Sequence, residues 1–143
     1  MLFRSHVAFE PRELSSRFGE RLNEFVVLAK NRAKHVALAT FAIHARRTQG
    51  ADEQLQSCNT SLYYMPYMTP ALLLDGFDEY NRVIREVARK NDTQLIDVSN
   101  VIPGDDAHFA DSVHFTDAGC RVMAERVVEA LASAPGFQAL CKR

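Results

Sequence analysis

Apolar residues recur at helical spacing along three stretches of the chain. The first runs from Pro11 to Ala33, the second from Asp75 to Asn91, and the third from Thr116 to about Ala134. In each stretch the apolar positions form one stripe, which is typical of an amphipathic helix that covers one face of a core. Thr116 suits the N-cap of the third helix, and Pro135-Gly136 predicts its end. The chain is therefore predicted to contain three long helices.

Two short apolar runs alternate with these helices, at residues 35–41 and 93–98. Runs with so little polar alternation suit strands that are buried on both faces of a parallel sheet. The order of helices and strands predicts an α/β fold, with the middle helix connecting the two strands as a parallel βαβ unit. Two strands are too few for such a sheet. Further strands are therefore expected from outside this chain or within its loops.

Residues 43–74 show no sustained period and contain the tyrosine-rich cluster Tyr63, Tyr64 and Tyr67. A connection of this length is long for a compact domain, so we expect a functional loop on the substrate side. The alternative is that these aromatic residues pack the loop onto the body of the domain. The last residues, 135–143, are expected to form a C-terminal tail.

The composition describes an ordinary globular domain. The 143 residues are 47% hydrophobic and carry 17 basic against 18 acidic side chains, which fits one domain spanning residues 1–143 and gives no reason to expect a nucleic-acid partner. No apolar run approaches the roughly 20 residues that span a bilayer, and the opening sequence lacks a secretory signal. The three cysteines show no paired spacing that indicates disulfides or zinc. We therefore expect a soluble, by default cytoplasmic, chain without a cofactor.

The densest group of polar residues, 105–114, lies between the second strand and the third helix. In open α/β sheets, ligands bind at this end of the strands. Asp111 and His114 are close enough in sequence for the carboxylate to accept the imidazole Nδ1–H, which leaves Nε2 as a general base. Two alternatives remain: Asp111 binds backbone N–H groups of a structural turn, or the loop holds a divalent metal through Asp106, His108, Asp111 and His114.

The passage Asp111–Gly119 and the apolar stripe that follows it to Leu131 resemble the last conserved block of the SGNH (GDSL) hydrolases. In that family a D-x-x-H before the final helix supplies the Asp and His of a Ser-His-Asp triad. The stretches 80–89 and 95–98 are similar to the family's penultimate helix and last strand. The first helix with residues 36–40 is similar to the helix and strand before the family's long substrate loop. The resemblance covers most of residues 10–132.

This resemblance implies a flavodoxin-like, three-layer α/β/α sandwich with a parallel sheet, acting on a small-molecule or acylated ester substrate. His114 would be the general base and Asp111 would orient it, with Tyr63, Tyr64 and Tyr67 contacting the substrate. The family's nucleophile lies in a G-D-S block, but none of the six glycines here precedes Asp-Ser. The nucleophile and the oxyanion donors are therefore left unassigned.

The missing G-D-S block implies a partial domain that lacks the N-terminal strands. Such a chain would be weakly active or inactive alone, since the loss of a triad member costs several orders of magnitude in rate. The alternative is a non-catalytic remnant that acts in protein association. It would self-associate or bind a partner through an exposed sheet edge or through the aromatic loop.

Overall fold

The computed structural model describes residues 10–142, with the exception of the Leu14 side chain. The opening nine residues, in which no signal is predicted, and Arg143 of the predicted tail lie outside this range. The prediction of an α/β fold is confirmed, because helices are combined with a small parallel sheet. The elements, in chain order, are α1 (Pro11–Lys30), β1 (Ala37–Ala39), α2 (Ala51–Ser57), α3 (Asn59–Tyr64), α4 (Pro70–Lys90), β2 (Gln94–Ile96), α5 (Asp117–Ser133) and α6 (Pro135–Cys141).

The sheet is formed by β1 and β2, which pair in parallel with Leu38 opposite Leu95. Helix α4 connects the two strands, so the predicted βαβ unit is confirmed. The prediction that the first strand is buried on both faces is wrong, since Leu38 is only partly buried and Ala39 is exposed. The reason is that α4 packs against both strands whereas α5 packs against β2. One side of β1 is therefore left without a covering helix in the described part of the chain.

Helices α1 and α4 pack side by side. Val26 of α1 is fully buried against Val83 and Val87 of α4. The two helices are also joined by a buried hydrogen bond of 2.6 Å, in which the Ser15 hydroxyl donates to the Glu79 carboxylate. The apolar stripe of α1 is wider than α4 can cover, so Phe25 and Leu28 remain exposed.

The predicted long loop at 43–74 is not irregular throughout. It contains α2 and α3 and the first turn of α4, whose N-cap is the Thr69 side chain. Helices of seven and six residues are too short to repeat a hydrophobic period, which is why the pattern did not reveal them. The predicted tail likewise contains α6, because Pro135 occupies the first helical position, where proline is favoured.

After β1, alternate side chains of residues 42–46 contact two different parts of the domain. Ile43 and Ala45 pack with Leu74 of α4. The even-numbered side chains approach Phe109, in the loop before α5: Ala42 packs in its cluster, the His44 ring stacks on it at 5.4 Å, and the Arg46 guanidinium lies over it at 5.9 Å. This segment therefore lies between α4 and the loop that contains the polar cluster.

Candidate active site

A hydrogen-bond network around Thr40 and Asp97 fixes the carboxyl ends of the two strands. The Thr40 hydroxyl, just after β1, donates to Asp97 at 2.9 Å and accepts the backbone N–H groups of Val98 and Ser99. Arg85 of α4 binds the same Asp97 carboxylate and holds its pKa well below the usual range. The loop that begins after β2 is therefore fixed to β1 at its first residues.

Asn81 of α4 holds the chain on the other side of this junction. Its side-chain amide donates to the Phe41 carbonyl at 3.0 Å, and its carbonyl oxygen accepts the Phe41 N–H at 2.7 Å. Asn81 is buried, and a side chain with both a donor and an acceptor can satisfy both backbone groups of one residue. The segment 41–46 therefore leaves β1 in a fixed direction.

The structure brings Asp111 and His114 together in one turn, residues 111–114, which we call the second turn. His114 Nδ1 lies 2.8 Å from Asp111 Oδ2, and Asp111 Oδ1 accepts the backbone N–H groups of Val113 and His114, each at 2.9 Å. These bonds, with the Val113 N–H contributing most, lower the pKa of Asp111 from 3.8 to about 2. Asp111 is therefore an anion at neutral pH.

The imidazole of His114 faces outward. Its side chain is 75% exposed, and no residue of the described chain is hydrogen-bonded to its Nε2. An Asp carboxylate that accepts the Nδ1–H selects the tautomer in which Nε2 carries a lone pair. In this arrangement Nε2 of His114 can take a proton from a group that approaches from solvent.

A second Asp–His pair, which the sequence reasoning missed, lies six residues earlier in the first turn, residues 105–108. His108 Nδ1 lies 2.7 Å from Asp105 Oδ1, which also accepts the His108 backbone N–H at 3.1 Å. The sequence signal for this pair is the D-x-x-H spacing followed by a phenylalanine, as in the second turn. The two phenylalanines, Phe109 and Phe115, form an antiparallel bridge that joins the two turns. The His108 side chain is only 22% exposed.

The second turn is attached to two distant segments through Ser112, which is buried. The Ser112 hydroxyl accepts the backbone N–H of Ser61 in α3 at 3.1 Å. The Ser112 carbonyl accepts the backbone N–H of His44 at 3.0 Å. Helix α3 and the segment 41–46 are therefore both in contact with the turn that carries Asp111 and His114.

The tyrosines predicted to contact substrate are exposed. Tyr63 and Tyr64, at the end of α3, lie edge to face with ring centroids 5.1 Å apart, and Tyr67 follows in the next turn. The alternative that these rings pack the loop onto the body is wrong, because Cys58 and Leu62 fill that role. The rings follow Ser61 by two to six residues, so the bond to Ser112 places their segment beside the second turn.

The metal-site alternative is not supported. Among residues 10–142, no group of three or more His, Cys, Asp or Glu side chains is placed to hold a metal ion. The candidate ligands point to different partners, since His108 contacts Asp105 and His114 contacts Asp111. Asp106 is 85% exposed and lies 3.6 Å from His44 instead. The cluster thus consists of separate Asp–His contacts.

Comparison of the chain with models of known protein families finds no match, and comparison with curated proteins also finds none. In the part of the chain that the structure describes, no helix is long and apolar enough to cross a membrane. The functional interpretation therefore depends on the residues of this loop and on their geometry.

Proposed function

We propose that this chain contributes the histidine and aspartate of a Ser-His-Asp ester hydrolase of the SGNH type. The observation that carries the proposal is the second turn, where Asp111 lies 2.8 Å from Nδ1 of an exposed His114. The pair follows a parallel strand and precedes a helix, at the edge of the sheet where α/β enzymes bind ligands. The attacking serine would come from sequence outside the described residues.

In this mechanism Nε2 of His114 takes the proton of the serine hydroxyl as the oxygen attacks the ester carbonyl. Asp111 accepts the Nδ1–H throughout and stabilises the imidazolium that forms. The same proton then passes to the alcohol oxygen as the ester C–O bond breaks, which leaves an acyl-serine. Water, activated by His114 in the same way, releases the acid. The low pKa of Asp111 supports this role, because its carboxylate stays charged through the cycle.

The arrangement of the helices supports the three-layer sandwich as the architecture of the complete domain. Helices α1 and α4 pack together on one side of the sheet, and α5 packs separately against β2. Within the described residues β1 pairs only with β2. Additional parallel strands would extend the sheet at the other edge of β1. In the proposal, that part of the domain carries the nucleophile and the oxyanion donors.

An apolar ester is the substrate class that the surface beside the tyrosine segment favours. A cavity of about 260 Å³ lies between α4 and the turn after α3, with a lining that is almost entirely apolar: Pro11, Met65, Met68, Leu72, Leu73, Gly76, Phe77 and Tyr80. Together with the exposed Tyr63, Tyr64 and Tyr67, it offers aromatic and aliphatic surface to an acyl chain. Methionine side chains in the lining can adapt to different chain shapes.

The test compares the chain extended by the segment encoded directly upstream with its His114→Ala variant, on a short-chain aryl ester. We expect His114→Ala to lose about 10³-fold or more in kcat/KM, because the general base is removed. His108→Ala is the matched control and should stay within a few-fold of the unsubstituted chain. Equal rates for the chain and His114→Ala would refute the catalytic role of His114.

Protein association is the second candidate function, and one observation favours it. Phe25 and Leu28 of α1 are exposed, as is Phe41 just after β1, and exposed apolar side chains of this kind are typical of interfaces. This alternative predicts no ester hydrolysis by the extended chain, and a mass in sedimentation that increases with concentration. Ester hydrolysis that depends on His114 would support the hydrolase and contradict the association hypothesis.

A further inference from the structure

We propose that Ser112 is a positioning residue, whose hydroxyl caps α3 and thereby fixes the tyrosine-bearing segment against the second turn. Its value to an ester hydrolase rests on the proposed function, whereas the physical coupling between α3 and the Asp111–His114 pair does not. The proposal follows from one buried side chain whose hydroxyl and carbonyl are both bound by distant segments.

Ser112 is the buried member of an otherwise accessible turn. It is 5% exposed, whereas Val113 and His114 on its C-terminal side are exposed. His114 is exposed, and the Asp111 carboxylate bonds only to groups of the same turn, so neither side chain holds the turn to the body. That attachment is made by Ser112, whose hydroxyl and carbonyl bond to segments 51 and 68 residues away in the sequence.

The hydroxyl acts as an N-cap supplied from a distant part of the chain. Helix α3 begins at Asn59, and its N-cap residue Cys58 makes no side-chain hydrogen bond to the first turn. The N–H groups of a first helical turn have no carbonyl partner within their own helix. Ser61 is the third residue of α3, and its N–H is satisfied by the Ser112 hydroxyl at 3.1 Å.

This attachment affects the Asp–His pair because Ser112 lies between its two members. The Asp111 carboxylate accepts N–H groups of Val113 and His114, the residues that directly follow Ser112. A displacement of Ser112 would therefore move these donors and the Nδ1 contact together. On the other side of the bond, Tyr63 and Tyr64 follow Ser61 by two and three residues. The hydroxyl thus fixes the distance between these tyrosines, which are proposed to contact substrate, and His114.

The first turn provides an internal comparison. The residue that corresponds to Ser112 there is Asp106, which is 85% exposed. The two turns share the aspartate, the histidine and the following phenylalanine, but only the second has a buried hydroxyl at this position. The coupling to α3 is therefore a property of the second turn and not of the D-x-x-H spacing.

The experiment measures amide hydrogen exchange and the His114 tautomer by NMR, on this chain and on Ser112→Ala. In the unsubstituted chain we expect a protected Ser61 N–H and a His114 imidazole protonated at Nδ1. In Ser112→Ala, Ser61 exchange should rise about 10-fold, the effect of one hydrogen bond, and the Nδ1–H tautomer should lose population. Ser112→Thr, which keeps a hydroxyl, should restore both, whereas Ser112→Val should not.

Ser133→Ala is the matched control, because the Ser133 hydroxyl bonds only to Ala130 within α5. It should leave Ser61 exchange and the His114 tautomer unchanged. Unchanged Ser61 exchange in Ser112→Ala refutes the cap. Faster exchange with an unchanged His114 tautomer refutes the positioning role. If Ser112→Ala does not fold, the Thr and Val variants decide the same points. Failure of the proposed function would appear separately, as an extended chain whose hydrolysis does not depend on His114.

Discussion

The two D-x-x-H turns before α5 each contain an Asp–His contact but differ in their surroundings. In each, one carboxylate oxygen accepts the N–H of the histidine three residues later, and the imidazole Nδ1 lies 2.7 or 2.8 Å from the carboxylate. The His108 side chain is 22% exposed and the His114 side chain 75% exposed. The spacing therefore determines the pair, whereas the packing around it determines which imidazole can meet a substrate.

The electrostatics of the two carboxylates also differ in origin. The pKa of Asp105 is lowered chiefly by the His108 side chain. The largest single cause that lowers the pKa of Asp111 is the Val113 backbone N–H, and the side chain, backbone N–H and charge of His114 follow. Asp111 is thus held as an anion in part by the backbone of its own turn. A carboxylate that must stay charged while its histidine gains and loses a proton benefits from this arrangement.

The largest expected effect comes from Gly119→Ala, which should disrupt the first turn. A Cβ at Gly119 would lie 2.1 Å from the His108 carbonyl oxygen, which is closer than atoms can approach. We expect the free energy of unfolding in urea to fall by about 3 kcal/mol. Ser61 should keep its protection from exchange, because its N–H bonds to Ser112 and not to the first turn.

Gly76→Ala in α4 is the control for this substitution. A Cβ at Gly76 would meet nothing within 4 Å, so alanine should stabilise the helix by up to about 1 kcal/mol. Equal stabilities for Gly119→Ala and Gly76→Ala would show that α5 does not pack closely on the first turn.

An intermediate effect is expected on the pH dependence of stability. The pKa of Asp111 is about 2 in the folded chain and 3.8 ordinarily, so its contribution to stability is present above pH 4. It should be lost as the pH falls toward 2, by about 1–2 kcal/mol after allowance for solvent screening. The difference between the unsubstituted chain and Asp111→Asn, in urea unfolding between pH 5 and pH 2, measures this loss. The comparison is needed because the pKa values of Glu79, Asp97 and Asp105 are also lowered.

The histidine variants separate the causes of the two shifts. In His114→Ala the pKa of Asp111 should stay well below 3.8, because the Val113 N–H remains. In His108→Ala the pKa of Asp105 should return toward its ordinary value, because its largest cause is removed. Carboxyl carbon NMR titrations measure both. A return of Asp111 to its ordinary pKa in His114→Ala would contradict the difference between the turns.

The smallest effect is expected from Asp106→Asn. Asp106 is 85% exposed and 3.6 Å from His44, so its loss should change the free energy of unfolding by less than about 0.5 kcal/mol. Ser112→Asn, at the corresponding position of the second turn, should cost more than 1 kcal/mol because a buried hydroxyl is replaced. Similar costs for the two asparagines would mean that Ser112 does not anchor its turn.

The sequence predicted what depends on local pattern. Three features depend on residues that are close in sequence. They are the hydrophobic period of α4, the Thr116 N-cap of α5, which accepts the Gly119 N–H at 3.3 Å, and the Asp111–His114 pair. Helices α2 and α3 were missed because they are too short for a period. The exposure of β1 was missed because an apolar run does not reveal how many elements cover it.

The attachments of the site could not be predicted from the sequence. Nothing near Ser112 indicates that its hydroxyl will meet Ser61, and nothing near Phe41 indicates Asn81. These contacts depend on how the βαβ unit folds back on itself. The Asp105–His108 pair, by contrast, had the same signal as Asp111–His114 and was predictable from its spacing.

The bond between Ser61 and Ser112 also has a consequence for the order of folding. Asp111 and His114 are three residues apart, so their turn closes a very short loop and can form before the domain does. Ser61 and Ser112 are separated by 51 residues, with α4 and β2 between them, so we expect their long-range bond to form after the turn. We therefore expect the tyrosine segment to join the Asp–His turn late in folding. A chain that stops folding before this step would contain the Asp–His pair without the tyrosines beside it.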